Sequence, residues 1–211
     1  MPGLASVAMS FDTWLIYLLA SIGLSLSPGP NGLLALTHGV LHGRRKTGFT
    51  ILGGVCGFVV VIGLSMFGIG ALLQASLGWL TALKWLGGAY LVWLGIQVWR
   101  APPVGLQLSG ETPVRSGGSL FQQGALSALT NPKALLFFAA FLPQFIDPQR
   151  SLLLQFAVMA GTFAAVEAIT ELLIASLAGQ ITPWLGRVGK RFNQVCGSIF
   201  MAIGVALPLR G

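Results

Sequence analysis

Three ionisable side chains, Lys133, Glu167 and Glu171, lie inside stretches that are otherwise almost wholly apolar. A charge carried into a bilayer costs several kcal/mol, so such a group faces a cavity or a partner. Glu167 and Glu171 are four residues apart and share a helix face. Lys133 could form a structural ion pair with either one. Dehydration disfavours the charged form of a carboxyl group. That would let Glu167 hold a proton at one time and an ammonium group at another.

Two more patterns carry chemistry through the backbone. Ser27-Pro28-Gly29-Pro30-Asn31 and Asn131-Pro132-Lys133 each fall near the middle of an apolar stretch. Proline lacks an N–H and clashes with the preceding turn, so Pro28 and Pro30 break a helix there. Gly29 between them can take whatever dihedrals the break requires. Asn131 followed by Pro132 reads as a cap and first position of a new helical segment. A helix N-terminus presents unpaired N–H groups and a positive dipole end, which suit a carboxylate. Two facing N-termini would make an anion cradle; the bland alternative is two packing kinks. The expected substrate-binding set is Pro28, Gly29, Pro30, Asn31, Asn131, Pro132, Lys133, Glu167 and Glu171.

Other residues suggest less. Cys56 and Cys196 fall in apolar spans without a second Cys or a His at ligand spacing, so no disulfide, metal or cofactor is expected. His38 and His42 beside Arg44, Arg45 and Lys46 read as interfacial. Gly53, Gly54, Gly57, Gly87, Gly88, Ala157 and Gly161 read as sites of close helix packing.

The elements that must position these groups follow from composition. Of the 211 residues 55% are hydrophobic and 8% charged; soluble domains carry about a quarter charged residues. The chain is therefore expected to be an all-α integral membrane protein. Six spans are expected at residues 13–36, 48–73, 78–99, 120–143, 152–178 and 192–209. The first is read as an uncleaved span. The N-terminal residues are weakly patterned, with Met9 an alternative start to Met1 and the domain drawn as 9–211. Trp79, Trp85, Trp93 and Trp99 mark the ends of span three, and Lys84 can snorkel to its interface.

The net charge of +7 is spread between the spans, with no basic face interleaved with aromatics, which excludes a nucleic-acid partner. Arg44, Arg45, Lys46, Arg100, Arg115, Arg187, Lys190 and Arg191 fall on one side; Lys84, Arg150 and Arg210 fall on the other. The first side is the cytoplasmic one, so both termini are expected in the periplasm. Residues 101–119, rich in Pro, Gly and Ser, read as a cytoplasmic linker between repeats at 9–100 and 120–211. Three helices per repeat make the halves inverted, with helices one and four broken.

The stretches Leu24-Ser25-Leu26-Ser27-Pro28-Gly29-Pro30, 83–95, Leu129-Thr130-Asn131-Pro132-Lys133 and Phe141-Leu142-Pro143-Gln144-Phe145 resemble the LysE/RhtB family of bacterial amino-acid exporters, closest to its homoserine/threonine branch. The resemblance runs over nearly the whole chain from Met9. It implies export of a neutral amino acid or homoserine-type derivative across the bacterial inner membrane, driven by the proton motive force, and it leaves self-association open. The acidic residue at Glu167 is similar to the family pattern, whereas Glu171 departs from it. One division of labour has Glu171 paired with Lys133 and Glu167 free to titrate. Within transport, a basic amino acid or a metal cation is the alternative cargo. An intramembrane enzyme would need a nucleophile–base pair or metal triad, which the sequence does not place at depth. A non-transporting scaffold would have no use for two broken helices and buried charges.

Overall fold

The computed structural model describes residues 9–27, 29–75, 78–100, 115–206 and 209. Pro28, Arg210, residues 101–114 of the expected linker and the side chains of Trp79, Lys84, Pro132 and Arg187 fall outside that description. The described residues form seven α-helices, one 3-10 turn and no strand. Helix α1 spans Phe11–Leu26, α2 Pro30–Ala75, α3 Gly78–Arg100, α4 Gly117–Leu129, α5 Pro132–Phe141, α6 Leu152–Ser176 and α7 Ala178–Ala206.

The local sequence sets several of these boundaries. Ser10, Ser116 and Ser151 cap α1, α4 and α6, each accepting a backbone N–H in the first turn. Asn131 caps α5 and Pro132 occupies its first turn, as the sequence predicts. Helix α2 is two arms joined at Gly43, whose φ of 72° and ψ of 166° are not helical. Only glycine enters that region readily. The chain reverses there. His38 Nδ1 lies 2.8 Å from Thr50 Oγ1, whereas 12 residues of straight helix would separate them by about 18 Å. The first arm is 30–42 and the second 44–75. Span one therefore runs beyond residue 36, and Arg44, Arg45 and Lys46 sit exposed in the second arm's first turn rather than in a loop. Likewise the expected loop between spans five and six is helical within α7. The Lys and Arg residues that mark a membrane edge are themselves good helix formers, so charge alone does not end a helix.

Among the described residues, Leu152–Ser176 and a stretch within Pro30–Ile69, the segment that carries the reversal at Gly43, are long and apolar enough to cross a membrane. Gly117–Leu129 and Lys133–Gln144, bent by 51°, make a third crossing if taken as one span, and Phe11–Leu26 is a shorter apolar helix. Trp85, Trp93 and Trp99 are exposed on α3, as residues facing lipid would be.

Small residues bring the helices together. A Cβ at Gly53 would overlap the Phe121 carbonyl of α4, and one at Gly87 the Ala140 carbonyl of α5. At α3–α7, Gly95 faces Gly197 and Gly204 faces Gly88. Gly39 packs against the Ala175 backbone, which brings the first arm of α2 onto α6. Ala157 and Gly161 do not belong to this set. Both are exposed on α6, and Gly161 has open space beside it.

Candidate functional site

The site is best followed along α6, where Gln155, Met159, Phe163, Glu167, Glu171 and Ala175 are all buried at four-residue intervals. Such a row makes one continuous inner face. Phe163 and Glu167 line a small cavity with Leu24, Ser25, Ser27, Gly29, Asn31, Gly32, Phe58, Asn131, Lys133 and Ala134. The two helix breaks thus meet at one place. Its free space is about 20 Å³, room for roughly one water molecule, so the structure is closed around the site.

Lys133 ties the breaks together. Its Nζ donates to the Ser27 carbonyl at 2.9 Å, and Ser27 is the residue that ends α1. A cation is favourable at a helix C-terminus because the last carbonyls are unpaired and carry the negative end of the dipole. Gly29 makes room for it: a Cβ there would lie 2.8 Å from Lys133 Nζ and 3.1 Å from Cε. Among the described residues the positive-φ glycine is Gly43, not Gly29. Gly29 is therefore small to admit Lys133, not to supply unusual dihedrals, which corrects the expectation from sequence.

The other expected residues divide. Asn131 Oδ1 accepts the Lys133 and Ala134 N–H groups at 3.1 and 3.4 Å, so the α5 N-terminus is partly satisfied by its own cap. Asn31 and Gly32, in the first turn of α2, line the cavity. The Pro30 ring is exposed and away from it. Pro28 lies outside the described residues; Pro132 opens α5, its side chain not described. Glu171 does not line the cavity. It lies a turn further along α6, where its Oε2 would be 3.6 Å from a Cβ on Gly54 and the Asn31 Nδ2 2.8 Å from it. Lys133 and Glu167 both line the cavity.

Several polar atoms here have no hydrogen-bond partner among the described residues: the Ser25 and Ser27 hydroxyls, Glu167 Oε2 and Glu171 Oε1. Glu167 is 4% exposed and Glu171 2%. Buried polar atoms are satisfied in the great majority of cases, so this cluster is the candidate binding site.

Sequence reasoning passed over Ser25, Phe58, Ser127 and Phe163. Ser127 donates to Asn31 Oδ1 at 2.6 Å and fixes its orientation. The available signal was a serine inside an otherwise apolar stretch four residues before Asn131. His38, expected at the interface, is 5% exposed and bonded to Thr50. The hairpin at Gly43 folds the end of the first arm against the second, and the imidazole goes inside.

The sequence profile of LysE type translocators matches residues 22–211. The chain belongs to this family. A homoserine/homoserine lactone efflux protein of Salmonella typhi is 39% identical over 94% of this chain and 97% of its own length. An uncharacterized membrane protein of Vibrio cholerae is 38% identical over 94% and 98%. A leucine efflux protein of Klebsiella pneumoniae is 30% identical over 64% and 63%. No solved structure matches. This LysE-type translocator is therefore a multi-pass membrane transport protein and not an enzyme.

Proposed function

We propose that this LysE-type translocator exports a neutral amino acid or homoserine-type derivative from the bacterial cytoplasm, driven by protons, with Glu167 as the coupling group. The observation that carries the reading is the Glu167 carboxyl, buried in the closed cavity with one oxygen unpartnered, opposite the Lys133 ammonium. A zwitterion has one complement for each of its charges there. Its ammonium would bind Glu167 in place of a proton. Its carboxylate would approach Lys133 and the first turn of α2 at Asn31 and Gly32. Phe58, Phe163 and Leu24 supply an apolar wall for a small uncharged side chain. The efflux relatives, named for homoserine, its lactone and leucine, support a cargo of that class.

The architecture we propose is six spans as two inverted three-helix repeats, 9–100 and 120–211, with both termini periplasmic in the inner membrane. The equivalent breaks before Pro30 and Pro132 support it. So does the packing: α1 lies on α6, through the Trp14–Thr162 and Tyr17–Met159 hydrogen bonds, as α4 lies on the second arm of α2. Reporter fusions at Arg100 and at the C-terminus should report cytoplasm and periplasm.

The functional test is flux of labelled homoserine, leucine, lysine and a divalent cation in proteoliposomes, with and without an imposed pH gradient. Wild type should move homoserine or leucine in response to the gradient, and Glu167→Gln should lose that response. Full gradient dependence in Glu167→Gln would make Glu167 structural and place coupling elsewhere.

A further inference from the structure

The polar groups around the cavity are denser in one direction than in the other. Toward the N-terminal end of α1 the neighbours are mainly aromatic: Phe58, Phe138 and Phe163 pack with centroids 4.9–6.4 Å apart, and Tyr17, Phe141 and Phe145 follow, with the buried Ser21 and Tyr17 hydroxyls among them. Toward the basic end the neighbours are polar. Glu171 comes one turn after Glu167, a rise of about 6 Å, and shares its layer with Asn31 and Ser127. His38 and Thr50 form the next layer, with the His42 ring 5.3 Å from that of His38. Exposed Arg44, Arg45 and Lys46 lie at the end. Glu171 is out of the cavity, and its Oε1 has no partner among the described residues.

We propose that Glu171 is a proton relay between Glu167 and the basic face. The inference rests on the proton-coupled reading of Glu167 above. The titratable groups around Glu171 are Glu167 on its own helix, Lys133 on α5, and His38 and His42 on the first arm of α2. Arg115, ahead of α4, acts on His38, and Cys196 of α7 lies near Lys133. Two buried carboxyl groups one helical turn apart, cut off from bulk water, are placed to pass a proton from one to the other. The Glu167 carboxylic acid gives its proton to the Glu171 carboxylate; Glu167 is left ionised and accepts the cargo ammonium. Protonated Glu171 then releases the proton, through the polar layer of Asn31, Ser127 and His38, to the basic face. Glu171 returns to its carboxylate, and no atom is lost or gained beyond the proton. A relay is useful because Glu167 can be emptied toward one face while the aromatic layer still seals the other.

The test separates cargo binding from proton movement in reconstituted wild type, Glu171→Gln, Glu171→Asp and Glu167→Gln. Homoserine exchange at equal pH needs the cargo site but no net proton step. Gradient-driven homoserine uptake needs both. Glu171→Gln should keep exchange within about twofold of wild type and lose at least about tenfold of gradient-driven flux, the scale of a removed proton-transfer group. Glu171→Asp should recover most of that loss, and it is the variant to read if the glutamine protein does not fold. Unimpaired gradient-driven flux in Glu171→Gln would overturn the relay. So would a parallel loss of exchange, which would make Glu171 a cargo ligand or a structural group. A wild type indifferent to the gradient would sink the proton-coupled reading as well, whereas a responsive wild type with a fully responsive Glu171→Gln sinks the relay alone.

Discussion

Gly29→Ala isolates the contact that joins the two breaks. An added Cβ would stand 2.8 Å from Lys133 Nζ, closer than a Cβ packs, and a tight 3.1 Å from Cε, so the end of the lysine must move. Its bond to the Ser27 carbonyl, 2.9 Å long, is then stretched or lost. A hydrogen bond from a charged donor is worth about 1.5–3 kcal/mol, which sets the expected loss of stability. Two smaller effects accompany it. Alanine lowers the entropy of the unfolded chain, a gain of about 0.4–1 kcal/mol where the backbone accepts it. Gly29 also opens α2, its carbonyl accepting the Leu33 N–H, and alanine is the poorer residue there by roughly 0.5–1 kcal/mol. These nearly cancel. Gly29→Ala should therefore cost about 1.5–3 kcal/mol with Lys133 present and within about 0.5 kcal/mol of nothing in a Lys133→Ala background. Unfolding of all four proteins in detergent measures the cycle. An equal penalty in both backgrounds would refute the argument and return Gly29 to a backbone role.

Glu167→Gln should lose gradient-driven transport, and Glu171→Gln should lose it while keeping exchange, both read by proteoliposome flux. Gly87→Ala should destabilise by about 1–3 kcal/mol, the usual penalty of overpacking, because its Cβ would overlap the Ala140 carbonyl and push α3 from α5; detergent unfolding reads the loss. Tyr17→Phe removes the donor to the Met159 carbonyl at 3.0 Å and should cost about 0.5–1.5 kcal/mol in the same assay.

Much of this was legible in the residues because helix ends and burial have local causes. Pro30, Asn131 and Pro132 fix where helices start, and the apolar stretches fix that the chain is helical and in a membrane. The cavity's ionisable groups were legible because an intramembrane charge has few other uses. The failures share one physical origin: they depend on how far a neighbour reaches across space. Gly29 looked like a backbone device until Lys133, 104 positions along the chain, came to rest beside it. Which of Glu167 and Glu171 lines the cavity stayed open, because a helix face says which residues align, not which end of the face meets the cavity. His38 looked interfacial because the hairpin at Gly43 was read as a loop.

The closed site is sealed unequally, and that bears on how it would load. On the side of α1's N-terminus the seal is a run of packed rings through Phe163, Phe138, Phe137, Phe141 and Phe145, with ring centroids as close as 4.5 Å. Each such ring pair is worth about 0.5–1.5 kcal/mol beyond its buried area, and the rings interlock across α1, α2, α5 and α6. On the basic side the seal is the Asn31–Ser127 and His38–Thr50 bonds with the close approach of Gly39 to Ala175. Side-chain hydrogen bonds of this kind contribute about 0.5–1.5 kcal/mol net, and entering water can replace them. Water cannot replace ring contacts without exposing apolar surface. Opening on the basic side therefore costs less, and under the proposed topology that is the cytoplasmic side, from which an exporter must take its cargo.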